Sequence, residues 1–203
     1  MGADLSSGSN KMAIAAMSHV VKFDKKELLH LQKEFIKLAK KSENGHTITR
    51  AQFRDALALV GIRESDKEIL DRIFTLCDET GDEQINFKEF IVGIAPIVRG
   101  SLVEKLQFSF ELFDLDNTNS ISKEEMREVL THMNSAVSYF GDESMSKDAI
   151  EALVEDIFLK FDKEKTGQLT YAEYMHAVAE HPTLVDFIAH SPDESVPAGG
   201  AGK

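Results

Sequence analysis

Oxygen-bearing side chains recur at alternate positions in several twelve-residue stretches of this chain, and the fullest is DLDNTNSISKEE at residues 114–125. Asp114, Asp116 and Thr118 stand at positions 1, 3 and 5, the Ser120 carbonyl at 7, Ser122 at 9 and Glu125 at 12. A hard divalent cation such as calcium takes about six to eight oxygen ligands in a forgiving geometry, and a loop of this length delivers them from those positions, with a bidentate glutamate last. Position 6 must turn with positive φ. Asn119 stands there, the residue type that tolerates this conformation best after glycine. Phe113 and Met126 flank the loop and Ile121 sits at its centre, apolar marks that a merely acidic surface turn lacks.

Three further stretches follow the pattern unequally. DKEKTGQLTYAE keeps Asp162, Thr166, Gln168, Thr170 and Glu173, with Gly167 at the turn, but Glu164 at position 3 is longer than the usual Asp or Asn. Calcium binding is expected there, with an altered affinity. DETGDEQINFKE offers Asp78, Thr80, Asp82, Gln84, Asn86 and Glu89. In it Thr80 replaces a carboxylate or amide, and Glu83 takes the glycine position, where a side chain costs on the order of 1 kcal/mol or more. Two readings stand for this loop, a calcium site or a structural turn. KSENGHTITRAQ puts Lys41 at position 1 and Gln52 at position 12, so its two most important carboxylates are missing. It should bind no calcium and serve to pair with the second loop.

Amphipathic helices must carry these loops. Leu28, Leu31, Phe35 and Leu38 predict a helix over residues 24–40, and Phe53, Ala56, Leu57 and Val60 another after the first loop. Ile69, Ile73, Phe74 and Leu76 precede the second loop; Phe87, Phe90, Ile91 and Ile94 follow it. A helix break is expected at Ala95-Pro96, since proline disfavours helix at the residue before it. The third unit starts near Ser101 with Leu102, Leu106, Phe110 and Phe113, and its exit helix carries Met126, Val129, Leu130 and Met133 to about Tyr139. Gly141 to Ser144 is the expected connector. Ile150, Leu153, Val154, Ile157, Phe158 and Phe161 lead into the fourth loop; Tyr174, Met175 and Val178 leave it. Thr183 to Ala189 reads as a short last helix.

A single helix-loop-helix exposes too much apolar surface, so the four units should pair, with Ile48, Ile85, Ile121 and Leu169 making short strand contacts between partner loops. The expected fold is therefore all-α, four helix-loop-helix units in two pairs plus a short C-terminal helix. Its divisions are a flexible segment at 1–22, a first pair at 23–95, a linker at 96–101, a second pair at 102–180, a helix at 181–190 and a disordered tail at 191–203.

Bulk composition narrows the partners. The 203 residues include 23 Lys and Arg against 35 Asp and Glu, a formal charge of −12, which argues against nucleic acid and against broad contact with anionic lipid. The chain's single cysteine, Cys77, excludes an intrachain disulfide and fits a reducing, cytoplasmic compartment; on an apolar helix face it reads as a buried thiol. The N-terminus lacks a signal peptide's basic start and long apolar core, and apolar runs are too short to span a bilayer. No histidine pair has metal-ligand spacing and no phosphate-binding glycine loop is present, so no enzymatic reaction is implied. MGADLS fits the Gly2 and Ser6 pattern for myristoylation; the tail is either lipidated at Gly2 or bare, and one acyl chain without a polybasic patch binds membranes only weakly.

From Phe23 to Ile188 the chain resembles the EF-hand calcium sensors of the calcineurin B, neuronal calcium sensor and calcineurin B-like group, and it is also similar to calaxin, a ciliary calcium sensor. The resemblance rests on RGSLVEKLQFSFELFDLDNTNSISKEEM at Arg99 to Met126, on the degenerate first loop and on HPTLVDFI at His181 to Ile188. It implies Ca2+ as the cofactor and a cytoplasmic protein, membrane-associated or ciliary in some relatives. It also implies a sensor or regulatory subunit in which calcium opens helix pairs and an effector helix docks in the apolar groove, with Met126, Met133 and Met175 as the switchable surface. A phosphatase, a kinase or a dynein-associated protein would be such an effector. The competing reading is a constitutive subunit that calcium stabilises; a passive buffer fits less well.

Overall fold

A computed structural model describes residues 13–42, 44–62, 66–139, 145–181 and 184, without the side chains of 135–139. Gly2, the connector at 141–144, and the final helix and tail, apart from His181 and Leu184, lie outside the described residues.

Eight named helices and two short strands follow in order: α1 (Lys25–Ala39), α2 (Arg50–Ala58), α3 (Lys67–Cys77), α4 (Phe87–Arg99), α5 (Leu102–Phe113), β1 (Ser120–Ser122), α6 (Lys123–Tyr139), α7 (Lys147–Phe161), β2 (Gln168–Thr170) and α8 (Tyr171–Glu180). Local chemistry marks their ends. Asp24 accepts the amides of Lys26 at 2.7 Å and Glu27 at 2.9 Å to start α1, and Asp66 accepts those of Glu68 and Ile69 to start α3. Capping boxes start α2, α4, α5 and α8.

The loops pair as the apolar centres require. Ile48 and Ile85 exchange backbone hydrogen bonds at 2.9 Å, and β1 runs antiparallel to β2 with Ile121 opposite Leu169. All four residues are fully buried, so the strand contact doubles as the roof of the core. Beneath it the first pair clusters Phe35, Phe53, Phe74, Phe87 and Phe90, with ring centroids 5.3–6.4 Å apart. The second pair clusters Phe110, Phe113, Tyr171 and Tyr174, at 5.3–5.8 Å.

Two expectations are corrected. The chain does not break at Pro96: α4 runs through it to Arg99. Proline removes only one amide donor, and buried Ile91 and Ile94 hold the helix by packing. The turn comes at Gly100, whose amide donates to Pro96 O at 3.1 Å; a Cβ there would collide with that oxygen. Nor is the N-terminal segment flexible throughout. Residues 13–20 are helical, and Ile14, Val21 and Phe23 enter the core. Lys22 clasps Glu104 at 2.5 Å, and Arg99 bonds Glu27 at 2.7 Å while lying over the Phe23 ring. The few large apolar residues of this stretch suffice because each lands on a ready-made surface.

The two pairs meet where α3 packs on α5 and α6. His132 Nδ1 lies 3.2 Å from Asp66 Oδ2 across this junction, and Arg72 reaches the third loop. An open cleft of about 220 Å3 remains between them. No described helix is long and apolar enough to cross a membrane.

Candidate metal centre

In the last three loops the entering helix ends on position 1. Asp78, Asp114 and Asp162 cap α3, α5 and α7 with matching backbone angles, φ −75° or −76° and ψ 78° or 79°. Each carboxylate turns inward and accepts amides from positions 5 and 6. Asp114 takes Thr118 and Asn119 N–H at 2.9 Å; Asp162 takes Thr166 at 2.9 Å and Gly167 at 2.8 Å; Asp78 takes Asp82 at 3.3 Å and Glu83 at 2.9 Å. This wrapping needs the left-handed conformation at position 6, and Asn119 (φ 63°), Gly167 (φ 78°) and Glu83 (φ 63°) all adopt it. Burial pushes the Asp162 carboxyl up, but the Gly167 and Thr166 amides outweigh it and hold the group below the usual carboxylate value.

The third loop gathers its charges. Oxygens of Asp114, Asp116 and Glu125 lie within 4.8 Å of one another, the one such trio of metal-ligating side chains among the described residues. Glu125 accepts Leu115 N–H at 2.9 Å and Asp116 N–H at 3.2 Å on Oε1, and Ser122 N–H at 2.8 Å and the Ser122 hydroxyl at 2.7 Å on Oε2. The Thr118 side chain, with its amide, holds the Asp116 carboxyl below its usual value. The Ser120 hydroxyl donates to Gln168 Oε1, tying this loop to the fourth.

In the fourth loop Glu173 repeats that arrangement, accepting Lys163 N–H at 3.3 Å, Thr170 N–H at 2.9 Å and the Thr170 hydroxyl at 2.8 Å. Glu164 is exposed and does not converge with Asp162 and Glu173 as the third-loop acids do.

The second loop carries its strain and one orphan atom. Arg50 Nε donates to the strained Glu83 at 3.2 Å, and Thr80 Oγ1 to Asp78 at 3.4 Å. Glu89 is buried, 4% exposed. Its Oε2 accepts Asn86 N–H at 2.9 Å, while Oε1 has no hydrogen-bond partner among the described residues. A buried carboxylate oxygen without a partner is costly, and a divalent cation is the partner that a position-12 glutamate suits. Behind it, burial pushes the Cys77 thiol up to about 12, with the Glu89 charge adding to the rise, so this thiol is inert, as its helix face implied.

The first loop is closed by its own side chains. Ser42 donates to Ala39 O and Thr47 O at 2.6 Å, occupying the position-7 carbonyl that a cation would use. Gln52 accepts Thr49 N–H and donates to Leu38 O, both at 2.9 Å. Asn44 Nδ2 reaches across to Gln84 Oε1 at 2.7 Å, so the loop is spent on supporting its neighbour. The residue spacing excluded this loop by its missing acids but did not reveal Ser42. Arg72, whose guanidinium bonds the third loop, was also missed; its one signal is a charge at the i+3 position from Ile69 on an apolar helix face. Met126 is fully buried and Met133 and Met175 half-buried, so the methionines belong to the core in this state.

Paired helix-loop-helix units with oxygen-lined twelve-residue loops define a calcium-binding protein. The family comparisons agree: residues 44–93 and residues 103–179 each match an EF-hand domain pair. Similar proteins include the calcium-binding protein NCSA of Dictyostelium discoideum, 34% identical over 58% of this chain and 60% of the relative. Human calaxin is 37% identical over 68% of this chain and 64% of the relative. The type 2 calcineurin B protein of Bos taurus is 28% identical over 82% of this chain and 92% of its own length. The match thus spans a little under two thirds of NCSA and calaxin. The chain belongs to the EF-hand proteins and is similar to members of the neuronal calcium sensor and calcineurin B group, and Ca2+ is its ligand.

Proposed function

We propose that the third loop is the principal calcium site, through Asp114, Asp116, Thr118, the Ser120 carbonyl, Ser122 and Glu125, and that its occupancy moves the exit helix to expose an apolar groove for an effector helix. The convergence of three carboxylates within 4.8 Å supports this reading. Asp114 ends α5 and Glu125 lies in the first turn of α6, so a cation gripping both alters the angle between those helices. The fourth loop joins through Asp162, Thr166, the Gln168 carbonyl, Thr170 and Glu173. The orphan Glu89 oxygen adds the second loop, with Asp78, Thr80, Asp82, Gln84 and Asn86.

The effector is a protein segment with an amphipathic helix. Calcium titration with an apolar-surface dye tests this: dye binding should rise with calcium in the wild type and fail to rise at the same concentrations in Glu125→Gln. Unchanged dye binding in wild type rules out the switch. The locked first loop favours a second reading for the N-terminal pair, a constitutive scaffold. Partner capture that persists in chelator would support it.

A further inference from the structure

We propose that Arg72, on the entering helix of the second hand, is a positioning residue for the third calcium loop, so that the N-terminal pair sets the calcium response of the C-terminal pair. This rests on the calcium reading of that loop. The guanidinium donates from Nη2 to Glu111 O at 2.5 Å, to Asp114 O and to Asn117 Oδ1 at 3.2 Å, and from Nη1 to Leu115 O at 3.4 Å. Glu111 O is one of the carbonyls a helix leaves unpaired at its C-terminus, because the Leu115 amide that would reach it is turned to Glu125. A cation there also suits the helix dipole.

Two peptide groups are thereby held from both sides. The peptide joining Asp114 to Leu115 gives its carbonyl to Arg72 and its amide to Glu125, and so does the peptide joining Leu115 to Asp116. These peptides carry the ligands at positions 1 and 3. When Glu125 turns its oxygens to calcium, its hold on the amides slackens, and Arg72, beside the Asn117 amide that donates to Asp114 O at 3.4 Å, keeps the two peptide planes, and with them the Asp114 and Asp116 carboxylates, in place. Planar fork geometry matters here more than charge, because one guanidinium serves four acceptors. The fourth loop has no counterpart: among the described residues no side chain donates to the carbonyls of Asp162 or Lys163. By linkage, what Arg72 does for calcium at the third loop, calcium does for the junction of the two pairs.

The test is a calcium titration of the full chain followed by amide NMR. The Asn119 amide, bonded to Asp114, reports the third loop, and the Gly167 amide, bonded to Asp162, the fourth. Arg72→Lys keeps the charge and loses the fork; Arg72→Met loses both. Each should raise the calcium midpoint at Asn119 about fivefold or more, with a smaller shift at Gly167. Ile69→Ala, which loosens the same helix junction without touching the loop, should leave the Asn119 midpoint near wild type. The proposal falls if Arg72→Lys titrates like wild type, if both amides shift equally, or if Ile69→Ala matches Arg72→Lys. If Asn119 does not respond to calcium even in wild type, the calcium reading beneath it fails as well. Should Arg72→Met not fold, Arg72→Lys carries the decision.

Discussion

Substituting Gly93 by alanine sets two known effects against each other at a close helix contact of the second hand. Gly93 lies in α4 against Cys77 at the end of α3. A Cβ added there would stand 2.5 Å from Cys77 Sγ, 2.9 Å from its Cβ and 3.0 Å from its Cα. Non-bonded carbons prefer about 3.5–4.0 Å, and a side-chain rotation of Cys77 cannot move its Cα, so α3 and α4 must separate by roughly 1 Å. Overpacking of this kind costs about 1–3 kcal/mol, whereas alanine gains about 1 kcal/mol over glycine inside a helix. The clash wins by about 1 kcal/mol, roughly fivefold in the unfolding equilibrium. Urea denaturation in chelator should show a lower midpoint at unchanged slope. In a Cys77→Ala background the Sγ contact is gone, so the same substitution should cost less by about 0.5 kcal/mol or more. Equal or greater stability of Gly93→Ala, or an identical cost in both backgrounds, would refute the claim that this approach limits how α3 packs on α4.

Two further outcomes follow from interactions outside the loops. Tyr174 donates its buried hydroxyl to Ser109 Oγ at 2.9 Å, and Ser109 donates to Leu106 O at 2.8 Å. Tyr174→Phe should therefore cost about 1 kcal/mol in chemical denaturation, with less than additive loss on adding Ser109→Ala. The clasp between the N-terminal segment and α5 should respond to acid: the Lys22 ammonium, then the Ser101 hydroxyl and amide, hold the Glu104 carboxyl at about 2. The ionised form is the one the fold favours, so the clasp's contribution is complete above the ordinary carboxylate value of 4.5 and is lost as pH falls toward 2. NMR titration of the Glu104 side chain reads this directly, and Lys22→Met should move its midpoint back up.

Much of this arrangement was legible in the chain itself, because helix periodicity, loop spacing and the apolar loop centre are local patterns. The 3.6-residue repeat of Leu28, Leu31 and Phe35, the helix starts near Asp24 and Ser101, and the pairing of Ile48 with Ile85 and Ile121 with Leu169 all appear where the residues imply. So does the inability of the first loop to offer acids at positions 1 and 12. Local rules misjudged Pro96, where buried neighbours on α4 override a proline's preference, and residues 13–23, whose few apolar side chains matter only because a surface awaits them.

Three features were settled only by tertiary structure. Ser42 filling the first loop, the orphan oxygen of Glu89 and the reach of Arg72 to a loop more than forty residues away each depend on distances that no spacing encodes. The sequence by itself determined which atoms are available as calcium ligands, since ligand type and loop length are properties of a contiguous segment. Which of those atoms converge was decided by the folded loop, because hydrogen bonds to peptide groups act only where the folded chain brings donor and acceptor within reach.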